Sequence, residues 1–522
     1  MGVTQLIDRF LEFEDRNDLF EHEILGFKFW HFARFEFYRD VLLKQLADVG
    51  QPHDKILSPE ATTLEKVQAR LKKLRWYGSH HLGNRSLGHL SNKDIIVTSH
   101  PRRFKEEGFY TCPYTDTFLS RLESSYYVFE EPYYLGHSSP VRTENLKYLD
   151  SAILRASMKR KLLGSLNRGT SGSEAAMFKD LAKKLNVEFG VSFDAEKFQQ
   201  AMLNLTWQCI CLKKELGKLI DAVSPKLIIE VISYTMVNML LTSLAKKRGI
   251  KTVELQHGTM TQHHVAYNFH RKRVLETFPD YLFAFGNNWK RSTRLPLDED
   301  RVIVTGFPYI EKKAEQYAGG YEAPCQKNTI LFISEGLVGK ALSRLACELA
   351  GMVDMDRYRI IYKLHPGEYL HWRKRYPWLI DSQIEVADSY ENSIYHYFAI
   401  SQYVVGVSST AIFETLPFSL KIFIYAVTNH EYAQDLYMRG YAELISSARD
   451  ISRALNSHTP DTSCIVSDFW EPNATRNVVE KIQGVLSGSL AKNLSAAPET
   501  LAPSGRIPPQ TPREEKMESK QL

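Results

Sequence analysis

The chain has 522 residues, which is too long for one ordinary hydrophobic core and predicts at least two domains. A hydrophobic content of 43% and a charged content of 24% indicate a folded globular protein and exclude collagen-like, coiled-coil and wholly disordered chains. The 66 basic and 61 acidic residues nearly balance, so we expect no nucleic-acid partner.

The cysteines and the hydropathy pattern predict the cellular location of the protein. Six cysteines are scattered without a CxxC pair, so neither a zinc site nor a disulfide framework is predicted, and a reducing cytoplasm fits best. The N-terminus lacks an apolar signal core, and the most apolar long window, 227–245, contains Glu230 and Asn238. We therefore expect a cytoplasmic protein without a transmembrane segment.

Residues 1–90 are predicted to form a helical, aromatic-rich N-terminal region. The aromatic residues crowded between positions 27 and 38 indicate a core. A second helix, over 64–77, has an apolar stripe surrounded by lysines and arginines. This face is either solvated or contacts a polyanion or a membrane surface, which would be the inner face of the plasma membrane.

Two series of apolar runs follow, and each has the sequence pattern of a parallel sheet. In 91–275, the runs DIIVTSHP, SYYVFEEP, KLIIEV and KTVELQHG alternate with helical segments and predict a first Rossmann-like domain. In 276–485, the runs YLFAFG, VIVTGFP, TILFIS, YRIIYKLHP, IEVAD, YVVGVSS and KIFIYAV predict a second one. Residues 486–522 are predicted to contain the end of a helix and a disordered tail.

Ligands of open parallel sheets bind beyond the carboxyl ends of the strands, so the residues that follow each apolar run are the candidates. His257, followed by Gly258, ends KTVEL and could accept a proton, although His263 and His264 lie nearby in sequence. Glu335 follows TILFI and is either a general base or a cap of the next helix.

Two further strand ends carry groups that suit a phosphate. Lys363 and His365 close YRIIYKL and are predicted to share one face of the strand, as two donors to phosphate oxygens. After YVVGV, Ser408, Ser409 and Thr410 are predicted to begin a helix whose free N–H groups bind an anion.

Glu414 lies one turn further along that helix, where a carboxylate could bind a ribose diol. The pairs Asp298-x-Asp300 and Asp354-x-Asp356 only superficially match a metal site, so we predict no metal and no cofactor. A second His-Pro, at His100, indicates that this dipeptide alone is a weak signal.

The order of these strand ends, with VELQHGTM, VTGFPYI, YKLHPGEY and VVGVSSTAIFETL as the best matches, resembles a family. It is similar to bacterial GT-B glycosyltransferases of capsule and surface-polysaccharide synthesis, in particular the polysialyltransferase-like and Kdo-transferase-like groups, and more distantly to CDP-glycerol glycerophosphotransferases. The resemblance covers roughly 225–430. It implies an α/β, GT-B-like fold in which two Rossmann-like domains face a cleft.

The resemblance also implies roles for the strand-end residues. His365 and the Ser408/Ser409 pair would hold the donor phosphate, with Glu414 near the ribose. Glu335 matches the acidic residue of an acidic-acidic-Gly motif and is a candidate base, although Ser334 replaces the first acidic residue. His257 matches the His-Gly of the glycerophosphate polymerases, where the histidine is the proposed base, so two residues compete for one role.

The predicted function is metal-independent transfer of a sugar from a nucleotide-activated donor to a growing surface glycan of the capsular or lipopolysaccharide type, with an oligosaccharide or lipid-linked glycan as the acceptor. A CMP-sugar is favoured as donor, and a CDP- or UDP-linked sugar is also compatible. The alternatives are a CDP-alditol phosphotransferase, a nucleotide-sugar 2-epimerase and a non-catalytic polysaccharide assembly protein.

Overall fold

The computed structural model describes residues 2–43, 89–133, 136–165, 172–192, 194–318, 328–457 and 462–490. The predicted basic helix at 64–77 and the predicted tail beyond 490 lie outside these ranges.

The N-terminal region is helical and packs its aromatic residues inward, as predicted. Its elements are α1 (Val3–Arg16), a 3₁₀ turn (Leu19–Glu21), the hairpin strands β1 (Glu23–Ile24) and β2 (Phe27–Lys28), α2 (Trp30–Phe37) and a π-helix (Tyr38–Leu43). Phe29, Trp30 and Tyr38 are buried. The guanidinium of Arg34 pairs with Glu14 at 2.7 Å and donates to the carbonyl oxygens of residues 265 and 268, which docks this region onto the first domain.

The first domain contains a sheet of seven parallel strands and a small hairpin. The hairpin strands are β4 (Phe104–Glu106) and β5 (Phe109–Thr111). The sheet strands are β3 (Ile95–Thr98), β6 (Tyr126–Glu130), β7 (Leu146–Tyr148), β8 (Leu227–Val231), β9 (Lys251–Leu255), β10 (Tyr281–Ala284) and β11 (Val302–Val304). Their spatial order is β11-β10-β9-β8-β3-β6-β7. The central strands are buried on both faces, which is why they are mainly apolar; Glu230 and Glu254 are buried exceptions.

Helices cover both faces of this sheet. They are α3 (Asp116–Leu119), α4 (Asp150–Ser165), α5 (Gly172–Phe189), α6 (Ala195–Val223), α7 (Met236–Lys246), α8 (Asn287–Arg291) and α9 (Pro308–Ala318), with 3₁₀ turns at Val265–Tyr267 and Glu299–Arg301. Asp194 caps the long α6, because its carboxylate accepts from two backbone N–H groups of the first turn.

The second domain contains six parallel strands in the order β14-β13-β12-β15-β16-β17. The strands are β12 (Asn328–Ile333), β13 (Tyr358–Lys363), β14 (Glu385–Ala387), β15 (Tyr403–Gly406), β16 (Lys421–Tyr425) and β17 (Ala442–Ile445). The helices are α10 (Gly339–Ala350), α11 (Trp372–Arg375), α12 (Ile394–Ala399), α13 (Thr410–Phe413), α14 (Gln434–Tyr437), α15 (Ala448–Ala454), α16 (Ser463–Phe469) and α17 (Ala474–Ser487), with 3₁₀ turns at Pro366–Glu368, Pro377–Leu379, Leu416–Phe418 and His430–Ala433.

The predicted fold class is confirmed, but the assignment of strands to sheets needs one correction. β10 and β11, which the sequence analysis placed in the second sheet, belong to the first, where Leu282 lies opposite Glu254. α17 also returns to the first domain, because Val478 and Ile482 pack against the core around Ile95. An apolar strand run does not specify which sheet it joins, since pairing depends on distant segments.

In each sheet the strand order reverses at one point, between β3 and β8 in the first and between β12 and β15 in the second. Such switch points are where open α/β sheets bind ligands, because the loops leave in opposite directions and open a crevice. The two carboxyl edges meet: the backbone N–H of Thr259, beyond β9, donates to Oγ1 of Thr410 at 3.3 Å. The residues beyond these strands therefore line one interdomain cleft.

Candidate functional site

His257 lies half-buried in the cleft and is held by tyrosines from three segments. The hydroxyl of Tyr234 lies 3.2 Å from Nε2, the hydroxyl of Tyr267 lies 3.4 Å from Nδ1, and Tyr114 donates to the backbone oxygen at 2.7 Å. Burial, followed by the neighbouring His100 and His264, holds the pKa of His257 well below its usual range. His257 is therefore a neutral imidazole at neutral pH, as a proton acceptor must be.

A buried carboxylate supports this imidazole through Tyr267. The Tyr267 hydroxyl donates to Oε1 of Glu254 at 2.6 Å, and the backbone N–H of Ser233 donates to the same oxygen at 3.1 Å. Because Tyr267 donates to Glu254, its oxygen accepts from Nδ1–H of His257, which leaves Nε2 as the proton-accepting atom. Nε2 is the nitrogen that Tyr234 contacts.

The neighbouring histidines take different roles. Nε2 of His263 contacts Oγ1 of Thr4 at 2.8 Å, and its ring packs beside Tyr432, away from His257. His264 stacks on Phe35 of the N-terminal region, with ring centres 5.6 Å apart. Of the three, His257 lies closest in sequence to Thr259, whose backbone N–H donates to Thr410 of the second domain.

Glu335 binds the Ser408–Ser409 turn directly. Its Oε1 accepts from the backbone N–H groups of Ser408 and Ser409, each at 2.7 Å, and its Oε2 accepts from the Ser408 hydroxyl at 2.6 Å. Burial raises the pKa of Glu335, and these hydrogen bonds act to lower it. Glu335 does not cap α10, which begins at residue 339 without a side-chain cap.

This contact corrects the predicted anion site at residues 408–410. The helix that begins there, α13, has only four residues, too few for a sizeable dipole, and Ser409 caps it by accepting from the N–H of Ala411. Glu335 occupies the two free backbone N–H groups that were predicted to face phosphate. Thr410 accepts from the first domain and joins the two carboxyl edges.

Lys363 and His365 have different surroundings, so they are not two equally free donors. The chain leaves β13 at Lys363, which is buried; its ammonium contacts Tyr369 and lies 3.4 Å from the carbonyl oxygen of Ala387. His365 is exposed at the start of the Pro366–Glu368 turn, where its Nδ1 accepts from the N–H of Gly367 at 3.1 Å. Burial lowers the pKa of Lys363 to about 8. Only His365 is free to face a ligand.

Glu414 lies at the end of α13, where Tyr395 donates to its Oε2 at 2.6 Å. Burial raises its pKa, while the hydrogen bond from Tyr395 and the charge of Arg102 lower it. Arg102 lies in the first domain, so Glu414 is also close to the cleft.

Sequence reasoning missed three parts of this site. Glu254 could have been noticed as a charged residue inside an apolar strand, whereas Tyr267 carries no local signal. His100 follows β3 at the switch point of the first sheet, and its ring lies 6.3 Å from that of His257. Its His-Pro dipeptide is a weak signal by itself, but its position at the end of a central strand is a usable one.

Across the described ranges, no group of three or more His, Cys, Asp or Glu side chains is arranged to hold a metal ion. In the same ranges, no helix is both long and apolar enough to cross a membrane.

Neither a protein-family model nor a curated protein matches the sequence. Among solved structures, the chain is similar to a UDP-GlcNAc 2-epimerase from Methanocaldococcus jannaschii, with 10% identity, a TM-score of 0.44 and coverage of 74% of this chain and 98% of that one. It is similar to Staphylococcus aureus MnaA in complex with UDP, with 12% identity, a TM-score of 0.45 and coverage of 76% and 97%. It is also similar to the wall teichoic acid polymerase TagF, with 12% identity, a TM-score of 0.43 and coverage of 82% and 99%. Similarities of this size do not identify a substrate or a reaction.

Proposed function

We propose that this protein transfers a sugar from a nucleotide-activated donor to a hydroxyl of a growing surface glycan, without a metal ion. The observation that carries the proposal is the neutral His257 at the interdomain cleft, supported from behind by Tyr267 and the buried Glu254. A proton acceptor backed by a buried carboxylate suits activation of a hydroxyl, because the carboxylate stabilises the imidazolium that forms.

In the proposed reaction, Nε2 of His257 takes the proton of the acceptor hydroxyl. The acceptor oxygen forms a bond to the anomeric carbon of the donor sugar, and the bond from that carbon to the donor phosphate breaks. The nucleotide leaves with the electron pair of that bond. Tyr234, whose hydroxyl contacts Nε2, marks the direction from which the acceptor hydroxyl would approach.

The turn that begins at His365 would bind the leaving phosphate through a hydrogen bond. Nδ1 of His365 accepts from a backbone N–H, so the neutral ring carries its proton on Nε2 and offers it to an oxygen. A donor fixed in place before the reaction stabilises charge that develops in the transition state. Glu414, with Tyr395 holding one of its oxygens, keeps the other for a ribose hydroxyl.

Of the two candidate bases, the contacts favour His257. Glu335 already accepts three hydrogen bonds from the Ser408–Ser409 turn, so its lone pairs are largely engaged. We assign Glu335 the role of fixing that turn against β12.

The first experiment identifies the donor and then measures its turnover. CMP-, CDP-, UDP- and GDP-activated sugars are screened by thermal stabilisation, because only a ligand that favours the native state raises Tm. With the donor found, His257→Ala and His365→Ala should each lower nucleotide release by about 100-fold or more. His270→Ala and His371→Ala, which replace exposed histidines in the same two segments, are the matched controls.

Each outcome separates the rival functions. A product that retains the donor phosphate would indicate a CDP-alditol phosphotransferase. Sugar epimerisation without net nucleotide release would indicate a 2-epimerase. Near-normal turnover in folded His257→Ala protein would contradict the proposed base.

A further inference from the structure

The two His-Pro turns of the chain, one in each domain, share one hydrogen bond. Nδ1 of His100 accepts from the backbone N–H of Arg102 at 3.0 Å, and Nδ1 of His365 accepts from that of Gly367 at 3.1 Å. In both turns the histidine therefore accepts from the residue two positions ahead. With Nδ1 used as the acceptor, each neutral ring carries its proton on Nε2 and offers one N–H donor.

The His100 turn occupies the position in the first sheet where ligands of this fold class bind. His100 follows β3, which borders the switch point with β8. Its ring lies 6.3 Å from that of His257 and 5.6 Å from that of Tyr114, so it belongs to the same cleft. The proposed mechanism gives this turn no role.

Two neighbouring arginines in this segment have opposite surroundings. Arg103 is buried and pairs with Glu130 at 2.5 Å and with Asp116 at 3.6 Å, which anchors the segment. Arg102 is half-buried, and within the described part of the chain its guanidinium makes no hydrogen bond and no ion pair. Its nearest aromatic contact is the ring of Phe104, 6.0 Å away. A guanidinium left unpaired in a cleft is suited to an anionic ligand.

Arg102 also acts on the second domain. Its positive charge contributes to lowering the pKa of His365, after the larger effect of desolvation by the surrounding protein, and it lowers the pKa of Glu414. The guanidinium of Arg102 in the first domain therefore interacts electrostatically with His365, proposed to bind phosphate, and with Glu414, proposed to bind the ribose.

We propose that the His100–Arg102 turn binds a second phosphoryl group of the donor, so that the donor is a nucleoside diphosphate-sugar and not a CMP-sugar. This inference rests on the proposed function and changes its favoured donor. A diphosphate linkage carries one more negative charge than the monophosphate linkage of a CMP-sugar, and the unpaired Arg102 supplies the matching positive charge. His100 and His365 add neutral N–H donors, one from each domain, to the oxygens of the two phosphoryl groups.

The test compares nucleotide diphosphates with monophosphates by isothermal titration calorimetry on the full chain. The wild type should bind CDP or UDP at least about 10-fold more tightly than CMP or UMP, the difference expected from a charge-assisted contact. Arg102→Ala should abolish that preference and leave monophosphate affinity within about twofold. Arg102→Lys, which keeps the charge and loses the planar fork, should give an intermediate preference.

Two controls keep the result interpretable. Arg142→Ala removes an exposed arginine that pairs with Glu107 in the β4–β5 hairpin, which follows Arg102 in the chain. This change should not alter the preference for diphosphates over monophosphates. Because the Arg102 guanidinium has no polar partner in the described ranges, Arg102→Ala should keep the wild-type Tm.

The outcomes distinguish this inference from the proposed function. Equal affinity of the wild type for monophosphate and diphosphate, or an unchanged preference in Arg102→Ala, overturns the inference and leaves the proposed function standing. If Arg102→Ala weakens binding of glycerol 3-phosphate instead, the turn serves an acceptor phosphate and the inference is also wrong. Absence of any nucleotide binding by the wild type would overturn the proposed function itself.

Discussion

At the scale of single residues, the site depends on which partner each polar group has. Arg102 and Arg103 are adjacent and chemically identical, yet one is buried among carboxylates and the other is unpaired beside the cleft. Lys363 and Glu335 stand at strand ends, as expected of ligand-binding groups, but both are engaged by the protein itself. Partners of this kind depend on distant segments, so the residue type alone could not predict them.

Tyr267 is a positioning residue that acts through His257. In Tyr267→Phe, the imidazolium loses its link to Glu254, so kcat should fall by roughly 10-fold with little change in KM. The acid limb of the pH–rate profile should move to lower pH, because the protonated ring loses stabilisation. Steady-state kinetics across pH measure both effects.

Tyr403→Phe is the matched control for this variant, since its hydroxyl donates to the carbonyl oxygen of Leu455 at 2.7 Å, on a different part of the second sheet. An unchanged kcat and pH profile in Tyr267→Phe would show that the tyrosine link is not used.

At the scale of secondary structure, the strands were predicted better than the helix ends. The apolar runs that close at residues 98, 255, 333, 363 and 406 all form strands, because continuous burial on both faces leaves a local signal. The short edge strands β7 and β17 and the hairpin strands β1, β2, β4 and β5 were not predicted, since short, partly exposed strands lack such a run. The helix after Ser409 is a single turn, and no local pattern indicated that it would stop at Phe413.

Close contact between α8 and α16 gives a stability prediction at this scale. A Cβ added at Gly286 would lie 2.3 Å from the carbonyl oxygen of Asp468 and 2.5 Å from the carbonyl carbon of Phe469. Because backbone atoms cannot rotate away, Gly286→Ala should lower the free energy of unfolding by about 2–3 kcal/mol. Urea unfolding followed by circular dichroism measures the loss.

Gly351→Ala provides the control for that experiment, since its nearest neighbour would lie 3.6 Å away and its backbone is already helical. We expect it to change stability by less than about 0.5 kcal/mol. A Gly286→Ala protein as stable as Gly351→Ala would contradict the packing of α16 on α8.

At the scale of the whole molecule, segments from both ends of the chain pack against the first domain. α17 crosses back onto the first sheet, and the N-terminal helices contact the loop that holds His264. Several histidines lie at the cleft, and burial keeps them neutral. The pKa of His100 and that of His264 are each lowered to about 4.

This clustering predicts loss of stability in acid. Below pH 6.5, His100 and His264 become protonated in the unfolded chain but stay neutral in the native state. The free energy of unfolding therefore falls as the pH decreases from about 6.5 to about 4. Each such histidine contributes up to about 1.4 kcal/mol per pH unit. Thermal melts between pH 7 and pH 4.5 test this, and His264→Asn should reduce the slope. A Tm that stays constant down to pH 5 would contradict it.

His137 should act in the opposite direction at high pH. Burial acts to lower its pKa, but hydrogen bonds to Asp150 and Glu130 raise it to about 9. Its stabilising contribution is complete below pH 6.5 and is lost as the pH rises through about 9. Because His100 and His264 lower stability below pH 6.5 and His137 lowers it above pH 6.5, stability should be greatest near pH 6.5.

The sequence by itself determined the α/β class, most strands and the four polar strand ends, because these are local patterns of apolar runs followed by turn residues. Only the tertiary structure decided that β10, β11 and α17 belong to the first domain, that Glu335 occupies the Ser408–Ser409 turn, and that His100 and Arg102 share the cleft with His257. The physical reason is that strand pairing, burial and charge pairing join segments far apart in the chain, where no spacing or composition records which partner a residue will meet.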